Sequence, residues 1–305
     1  MEEKKNGRVL VVGGAGFIGS HLTDALIARG YRVEVIDNLS GGKKERVHSE
    51  AKLHVLDICN YDDILPVFDG VDIVFHLAAL PRIQFSIDYP RESHHTNVNG
   101  TLNVFLAAKE KGVKKVIYSA SSSAYGNQER LPYTEDMKPM PISPYGLHKY
   151  IGEHYARVFA DVYGLPTVSL RYFNVYGPRL NTEGAYALVM GTFLEHKKKG
   201  LPLPVTGDGE QTRDFTHVRD VVRANILAAE SDAVGQGEVI NIGSGSPLTI
   251  NQLAELFGGN IEYGPARIEG RHSKADYTKA QTLLGWEPTV AIEDGVAELL
   301  REWKI

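Results

Sequence analysis

Gly13-Gly14-Ala15-Gly16-Phe17-Ile18-Gly19 follows directly on the apolar run Val9-Leu10-Val11-Val12, and the junction between them decides the fold. Four consecutive aliphatic residues read as a strand covered on both faces. The three spaced glycines then open a stretch of helical periodicity from Phe17 to Arg29. In such a turn Gly13 makes the sharp bend, Gly16 lets a diphosphate reach the backbone, and Gly19 lets helix and strand pack closely. The anion lies against the helix N-terminus. Gly13, Gly16, Phe17, Ile18 and Gly19 are therefore candidate dinucleotide contacts.

Outward from this junction, short β-branched runs recur at Arg32 to Asp37, Leu53 to Asp57, Asp72 to Ala78, Lys114 to Ala120 and Thr167 to Phe173. Helical stretches alternate with them, including Glu92 to Lys111 and Tyr145 to Tyr163. That alternation predicts an α/β fold, a Rossmann-type doubly wound parallel sheet. After about residue 174 glycine and proline become frequent and the elements shorter. The expected domains are residues 1–173, and 174–305 as a smaller α/β domain with some segments returning to the first. Helices are expected near Ala185 to Lys199, Val218 to Glu230 and Ile292 to Trp303, with a strand at Val239 to Ile242. Ligands of open α/β sheets sit at the carboxyl ends of the strands, so the cleft is expected between the domains.

The 305 residues carry 43% hydrophobic side chains and a net charge of −5, which suits a substantial core and argues against nucleic acid as a partner. The charged start Met1-Glu2-Glu3-Lys4-Lys5 does not resemble a secretory peptide, and no apolar run is long enough for a bilayer, so a soluble cytoplasmic protein without a membrane partner is expected. The single cysteine, Cys59, reads as a packed residue. No metal site is expected, because the adjacent His94 and His95 diverge by about 100° on a helix.

Asp37 ends the second strand where a carboxylate accepts hydrogen bonds from the adenosine ribose and repels a 2′-phosphate, which favours NAD over NADP. Asn38 adjoins it. Asp57-Ile58 and His76-Leu77-Ala78-Ala79, at the third and fourth strand ends, are placed to enclose the adenine and the middle of the cofactor. Of fifteen tyrosines only Tyr145 has a lysine, Lys149, four residues later, one helical turn away on the same face. Ser143 and Pro144 signal the start of that helix. An adjacent ammonium and a nicotinamide cation both favour phenolate, which makes Tyr145 a usable general base.

In combination, GGAGFIG at 13–19, DNLS at 37–40, HLAA at 76–79, NVNGT at 97–101, SASSSAYG at 119–126, SPYGLHK at 143–149, RYFNVYGPR at 171–179 and TRDFTHVRDV at 212–221 resemble the extended short-chain dehydrogenases/reductases, specifically the NAD-dependent UDP-sugar 4-epimerases. The resemblance covers almost the whole chain. It implies Ser121, Tyr145 and Lys149 as catalytic residues, with Ser121 bonding the reacting oxygen and Lys149 also holding the nicotinamide ribose. It adds Asn97 and Phe173 to the cofactor contacts, and Ser122, Asn174, Arg213, Arg267 and Ser273 to the substrate contacts. Arg171, Arg179 and Arg271 are further candidates for the diphosphate. It also implies a homodimer built on a four-helix bundle. Nearest in pattern are the epimerases of N-acetylated sugars, through Ala120-Ser121-Ser122-Ser123, Gly184-Ala185-Tyr186-Ala187 and Arg271-His272-Ser273. There Ser273 stands where glucose-restricted enzymes often carry a tyrosine. A UDP-glucuronate 4-epimerase usually has threonine in place of Asn174, and a dehydratase needs an acid pair where Ser122 and Ser123 stand. A catalytically silent dinucleotide-binding sensor would need neither the tyrosine–lysine pair nor the hydroxyl opposite it.

Overall fold

The computed structural model describes residues 7–182, 188–266 and 270–305. Strands β1 (Arg8–Val12), β2 (Arg32–Ile36), β3 (Lys52–His54), β4 (Ile73–His76), β5 (Lys115–Ser121) and β6 (Thr167–Tyr172) join the strand Gln236–Ile242 in one seven-stranded sheet. Its order from one edge is Gln236–Ile242, β6, β5, β4, β1, β2, β3, and every pairing is parallel. This is the Rossmann-like doubly wound sheet expected from the alternation of elements.

The apolar strands are explained by burial on both faces. Val9 and Val11 face a core with Leu22 and Leu26 of helix α1 (Phe17–Ala28) and with Val218, Val221 and Val222 of the helix Val218–Glu230. Leu10 and Val12 face the opposite core, with Val104, Phe105 and Ala108 of the helix Thr101–Glu110 and with Ala156 and Phe159 of the helix Pro144–Tyr163. A third core, carried by the C-terminal part, gathers Phe193, Leu194, Leu203, Phe215, Leu253, Phe257 and Leu299. Phe17, at the first turn of α1, packs against both the first and the third core. The glycine turn therefore stands where the two parts of the molecule meet.

Several boundaries differ from the sequence reading. Strand β3 stops at His54 because Asp57 turns the chain, its Oδ1 accepting the Cys59 N–H at 2.8 Å. The stretch 92–111 is wound in three pieces: Pro90–His94, a π-helical turn His95–Gly100, and Thr101–Glu110. The helix expected from Ala185 is described as Val189–Lys198, and residues 185–187 lie outside the described residues. The helices at Val218–Glu230 and Ile292–Trp303 have the expected bounds. No helix among the described residues is long and apolar enough to cross a membrane.

Candidate active site

The turn after β1 is held by backbone contacts that only glycine permits. Gly13 has φ +90°, and a Cβ there would fall 2.5 Å from Ala78 N. A Cβ on Gly19 would overlap the Gly13 carbonyl oxygen, whereas one on Gly16 would meet nothing nearer than Gly13 O at 3.2 Å. Gly16 is thus the least crowded of the three glycines. Helix α1 begins behind it with no side-chain cap on its first N–H groups. A glycine backbone over uncapped helix N–H groups fits a dinucleotide diphosphate.

Asp37 lies beside this turn. Its Oδ2 accepts Ala15 N–H at 3.0 Å and its Oδ1 accepts Leu39 N–H at 2.8 Å. Burial raises its pKa, while these two N–H groups oppose the rise. Asn38 Nδ2 donates to Asp57 Oδ2 at 3.0 Å, so the ends of β2 and β3 are tied together. Burial pushes Asp57 up, but the Cys59 N–H and Asn38 outweigh it and hold the carboxyl below its usual value. Leu77 and Ala78 both donate their N–H to Val12 O at 2.8 Å, which brings the end of β4 onto the end of β1.

Three expected cofactor contacts are engaged by the protein itself. Ile58 is buried against Gly100. The Phe173 ring is wholly buried beside Tyr125 and Tyr133, which leaves its backbone and not its ring to line a cleft. Asn97 accepts Leu80 N–H at 2.7 Å and donates to Leu80 O at 3.1 Å, pinning the loop that follows β4. Cys59 donates to His95 O at 3.6 Å, and burial pushes its thiol up to about 12.

The helix Pro144–Tyr163 carries the second half of the site. Ser143 caps it by accepting Gly146 N–H at 3.1 Å, Pro144 occupies its first turn, and Gly164 ends it at φ +66°. Two glycines press this helix onto β5. A Cβ on Gly146 would fall 2.5 Å from Ser123 O, and one on Gly152 would overlap the Tyr118 hydroxyl. Tyr145 and Lys149 therefore reach the end of β5, where Ser121 accepts Ser123 N–H at 3.2 Å and donates to Ser123 Oγ at 3.1 Å. Ser122 follows in the same serine turn.

Burial raises the Tyr145 phenol to about 12, against a hydrogen bond with Ser121 and the charge of Arg82. Burial lowers Lys149 to about 7, against the charge of Glu153. The Lys149 ammonium donates to Ser119 O at 2.6 Å and lies 5.1 Å from the centre of the Tyr118 ring. The Lys149 ammonium is thus engaged by the Ser119 carbonyl and the Tyr118 ring. Among the protein's own groups, Ser121 and Arg82 pull the phenol down.

The cationic candidates separate into two kinds. Arg171 is no diphosphate anchor: it is buried and holds Glu153 through both oxygens, Nε to Oε1 at 2.8 Å and Nη2 to Oε2 at 2.6 Å. Arg179 pairs with Asp24 at 2.8 Å. Arg213 Nη1 donates to Thr212 O at 2.9 Å and to Arg271 O at 3.3 Å, while Arg271 pairs with Asp208 at 2.9 Å on the surface. Arg213 and Arg271 thus share one region. Arg267 and the run 184–187 lie outside the described residues. Asn174, at φ +22°, donates to Asp214 O at 3.1 Å, and Ser273 Oγ accepts Asp214 N–H at 3.3 Å.

Sequence reasoning missed Asp214, the buried carboxylate that gathers this region by accepting the N–H groups of Ser244, Gly245 and Ala275. It also missed Gly146, Gly152, Glu153 and Arg82. Gly146 and Glu153 had a signal in their spacing along the helix that bears Tyr145. Among the described residues no group of three His, Cys, Asp or Glu side chains is arranged to hold a metal.

Comparison with known proteins agrees with this arrangement. Residues 9–243 match the NAD dependent epimerase/dehydratase family. A putative UDP-glucose 4-epimerase of Methanocaldococcus jannaschii is 36% identical, over 97% of this chain and 98% of its own. The structure of a UDP-glucose 4-epimerase of Thermotoga maritima with UDP-glucose matches at a TM-score of 0.93 and 41% identity, over 97% of this chain and 98% of that one. A UDP-N-acetylglucosamine 4-epimerase of Methanobrevibacter ruminantium, solved with UDP-N-acetylmuramic acid, matches at 0.91 and 36%, over 98% and 99%. With its glycine cradle, the Asp37 carboxylate beside it and its Ser121–Tyr145–Lys149 arrangement, the chain belongs to the NAD-dependent epimerase/dehydratase family, as an extended short-chain dehydrogenase/reductase of the sugar-epimerase type with NAD as its cofactor.

Proposed function

We propose that the chain interconverts the C4 epimers of a UDP-hexose through a 4-keto sugar, with UDP-N-acetylglucosamine and UDP-N-acetylgalactosamine as substrates and UDP-glucose and UDP-galactose also accepted. NAD, when bound, supplies the acceptor and later the donor of the C4 hydride. Tyr145 takes the proton of the 4-hydroxyl and gives it back on the return, and Ser121 bonds the same oxygen. Lys149 holds the nicotinamide ribose. Gly13, Gly16, Gly19 and Asp37 hold the dinucleotide. Arg213 and Arg267 grip the UDP diphosphate with Asn174, as planar guanidiniums suit phosphate, so the sugar can turn while its nucleotide stays fixed.

The observation that carries this reading is that the helix Pro144–Tyr163, pressed by Gly146 and Gly152 against the end of β5 and the serine turn after it, brings Tyr145 and Lys149 to Ser121, with the Lys149 ammonium donating to Ser119 O. Purified protein given UDP-N-acetylglucosamine without added NAD is expected to form UDP-N-acetylgalactosamine. No epimer, with or without NAD, contradicts it.

Ser273 supports the acetylated sugar, because a small side chain leaves room for an acetamido group. Ser273→Tyr is expected to lower kcat/KM on the acetylated pair about 10- to 100-fold more than on UDP-glucose, measured side by side. Equal loss on both removes Ser273 as the gate. We further propose a homodimer through the helices 90–110 and 144–163, supported by the exposed apolar series Leu147, Val158 and Val162 along the outer face of the second. Sedimentation of the purified chain as a monomer at micromolar concentration contradicts that assembly.

A further inference from the structure

What holds Tyr145 in the place from which it meets Ser121 is visible in the hydrogen bonds of its own backbone. A helix leaves the N–H groups of its first turn without intrahelical partners, and in the helix Pro144–Tyr163 each can be followed. Pro144 has none. Gly146 N–H goes to Ser143 Oγ at 3.1 Å and Leu147 N–H to Ser143 O at 3.0 Å, both at the helix's own cap. The Tyr145 N–H instead crosses to another element and donates to Ser86 Oγ at 3.0 Å.

Ser86 lies in the short helix Ile83–Asp88, beyond the loop that leaves β4, and is wholly buried. Its hydroxyl hydrogen goes to Ile83 O at 2.6 Å, one turn back, so the oxygen is aimed and left to accept. One turn further along the helix that bears Tyr145, a second buried serine repeats the contact. Ser93 Oγ, also wholly buried, lies 3.3 Å from His148 Nδ1 and accepts a hydrogen bond from Asn97 Nδ2 at 3.3 Å. Burial holds His148 near 4, so its ring is neutral and Nδ1 can take the Ser93 hydrogen. Asn97 in turn holds both the N–H and the C=O of Leu80. Tyr145 is thus fixed by its own N–H to the 80–97 segment, while its neighbour Gly146 bears on Ser123 O in the serine turn.

We propose that Ser86 is a positioning residue of the active site, whose hydroxyl fixes the backbone of Tyr145 and with it the placement of the phenol against Ser121, with Ser93 as a second tether one turn on. The proposal rests on Tyr145 as the group that exchanges the proton of the sugar's 4-hydroxyl. Removing Ser86 Oγ leaves a buried N–H unpaired at the start of the helix and frees its first turn to shift. A displacement of about 1 Å at a reacting group costs on the order of 100-fold in rate, and no contact to the nucleotide is lost with it.

The test uses NAD-loaded enzyme carrying ¹⁵N-tyrosine, with the Tyr145 amide assigned by its loss in Tyr145→Phe. In Ser86→Ala that amide is expected to exchange with solvent about tenfold faster or more, while the other tyrosine amides keep their rates. The kcat is expected to fall about 10- to 100-fold, with KM for the UDP-sugar within about threefold of the parent. Ser86→Cys, close in shape but a weak acceptor, is expected to lie between the two, and it is read the same way should the alanine variant not fold. A kcat within about twofold of the parent overturns the proposal even where the Tyr145 amide is exposed. Parallel losses of kcat and UDP-sugar affinity, with all tyrosine amides exchanging faster together, overturn it as well, because a general loosening of the fold has no preference for Tyr145. Full turnover by Tyr145→Phe would instead remove the underlying assignment of the base, an outcome on which the Ser86 variants have no bearing.

Discussion

At the scale of single residues the site sets two titratable groups against their surroundings. Tyr145 is held as a phenol near 12 by burial, so the protein alone does not ionise it at neutral pH. A bound oxidised nicotinamide brings a positive charge into the same space, and Ser121 and Arg82 act in the same direction. Tyr145→Phe is expected to lower kcat about 10²- to 10⁴-fold, the range for loss of a general acid–base group, while the Kd for the UDP-sugar stays within about threefold. Calorimetry on the variant reads the second quantity. A kcat near that of the parent removes Tyr145 from the chemistry.

Lys149 yields a prediction on stability. Its folded pKa, about 7, lies below the value of about 10.4 for an unfolded lysine. Between these values the unfolded chain binds the proton that the folded chain has released, so this contribution to stability rises with pH. Urea unfolding of the parent and of Lys149→Met at pH 6.5 and 9.5 is expected to show the parent gaining on the variant by a few kcal/mol, on the order set by such a shift. A difference between the two proteins that is flat with pH contradicts the buried, discharged lysine.

At the scale of elements, most of the sheet was legible because its strands are apolar on both faces and its first turn is fixed by glycine. Bounds failed where a side chain ended a strand early, as Asp57 does by accepting the Cys59 N–H. The Tyr145–Lys149 spacing was legible because it lies within one helix. The partner of the next turn was not. Glu153 lies on that helix, but Arg171 comes from β6, and nothing in the local pattern of Arg171 distinguishes a buried ion pair from a phosphate anchor. Both side chains are 3% exposed, so cutting one leaves the other charged and buried. Glu153→Gln is expected to cost about 3–5 kcal/mol of stability by urea unfolding, far more than an exposed pair would. A loss below about 1 kcal/mol would mean that the pair is solvated in solution.

At the scale of the whole molecule, the C-terminal part was the least legible. Its strands are two to four residues long outside the main sheet, and their pairings join distant segments, such as Leu203–Thr206 with Ile261–Gly264. Gln236–Ile242 instead crosses back to extend the main sheet beside β6, a choice that its local sequence does not specify. Asp214 organises the region of Asn174 and Ser273 through N–H groups from 244, 245 and 275, which only the folded chain brings together. The site is therefore a property of the closed molecule, with the glycine turn and Phe17 on one side and the Asp214 region on the other.

In the proposed reaction the C4 hydrogen leaves the sugar and returns to its opposite face without leaving the protein. UDP-N-acetylglucosamine deuterated at C4 and incubated with purified protein in ordinary water tests it most directly. The expected product is UDP-N-acetylgalactosamine with the deuterium retained at C4. A 4-epimer whose deuterium has been replaced by solvent hydrogen would contradict it.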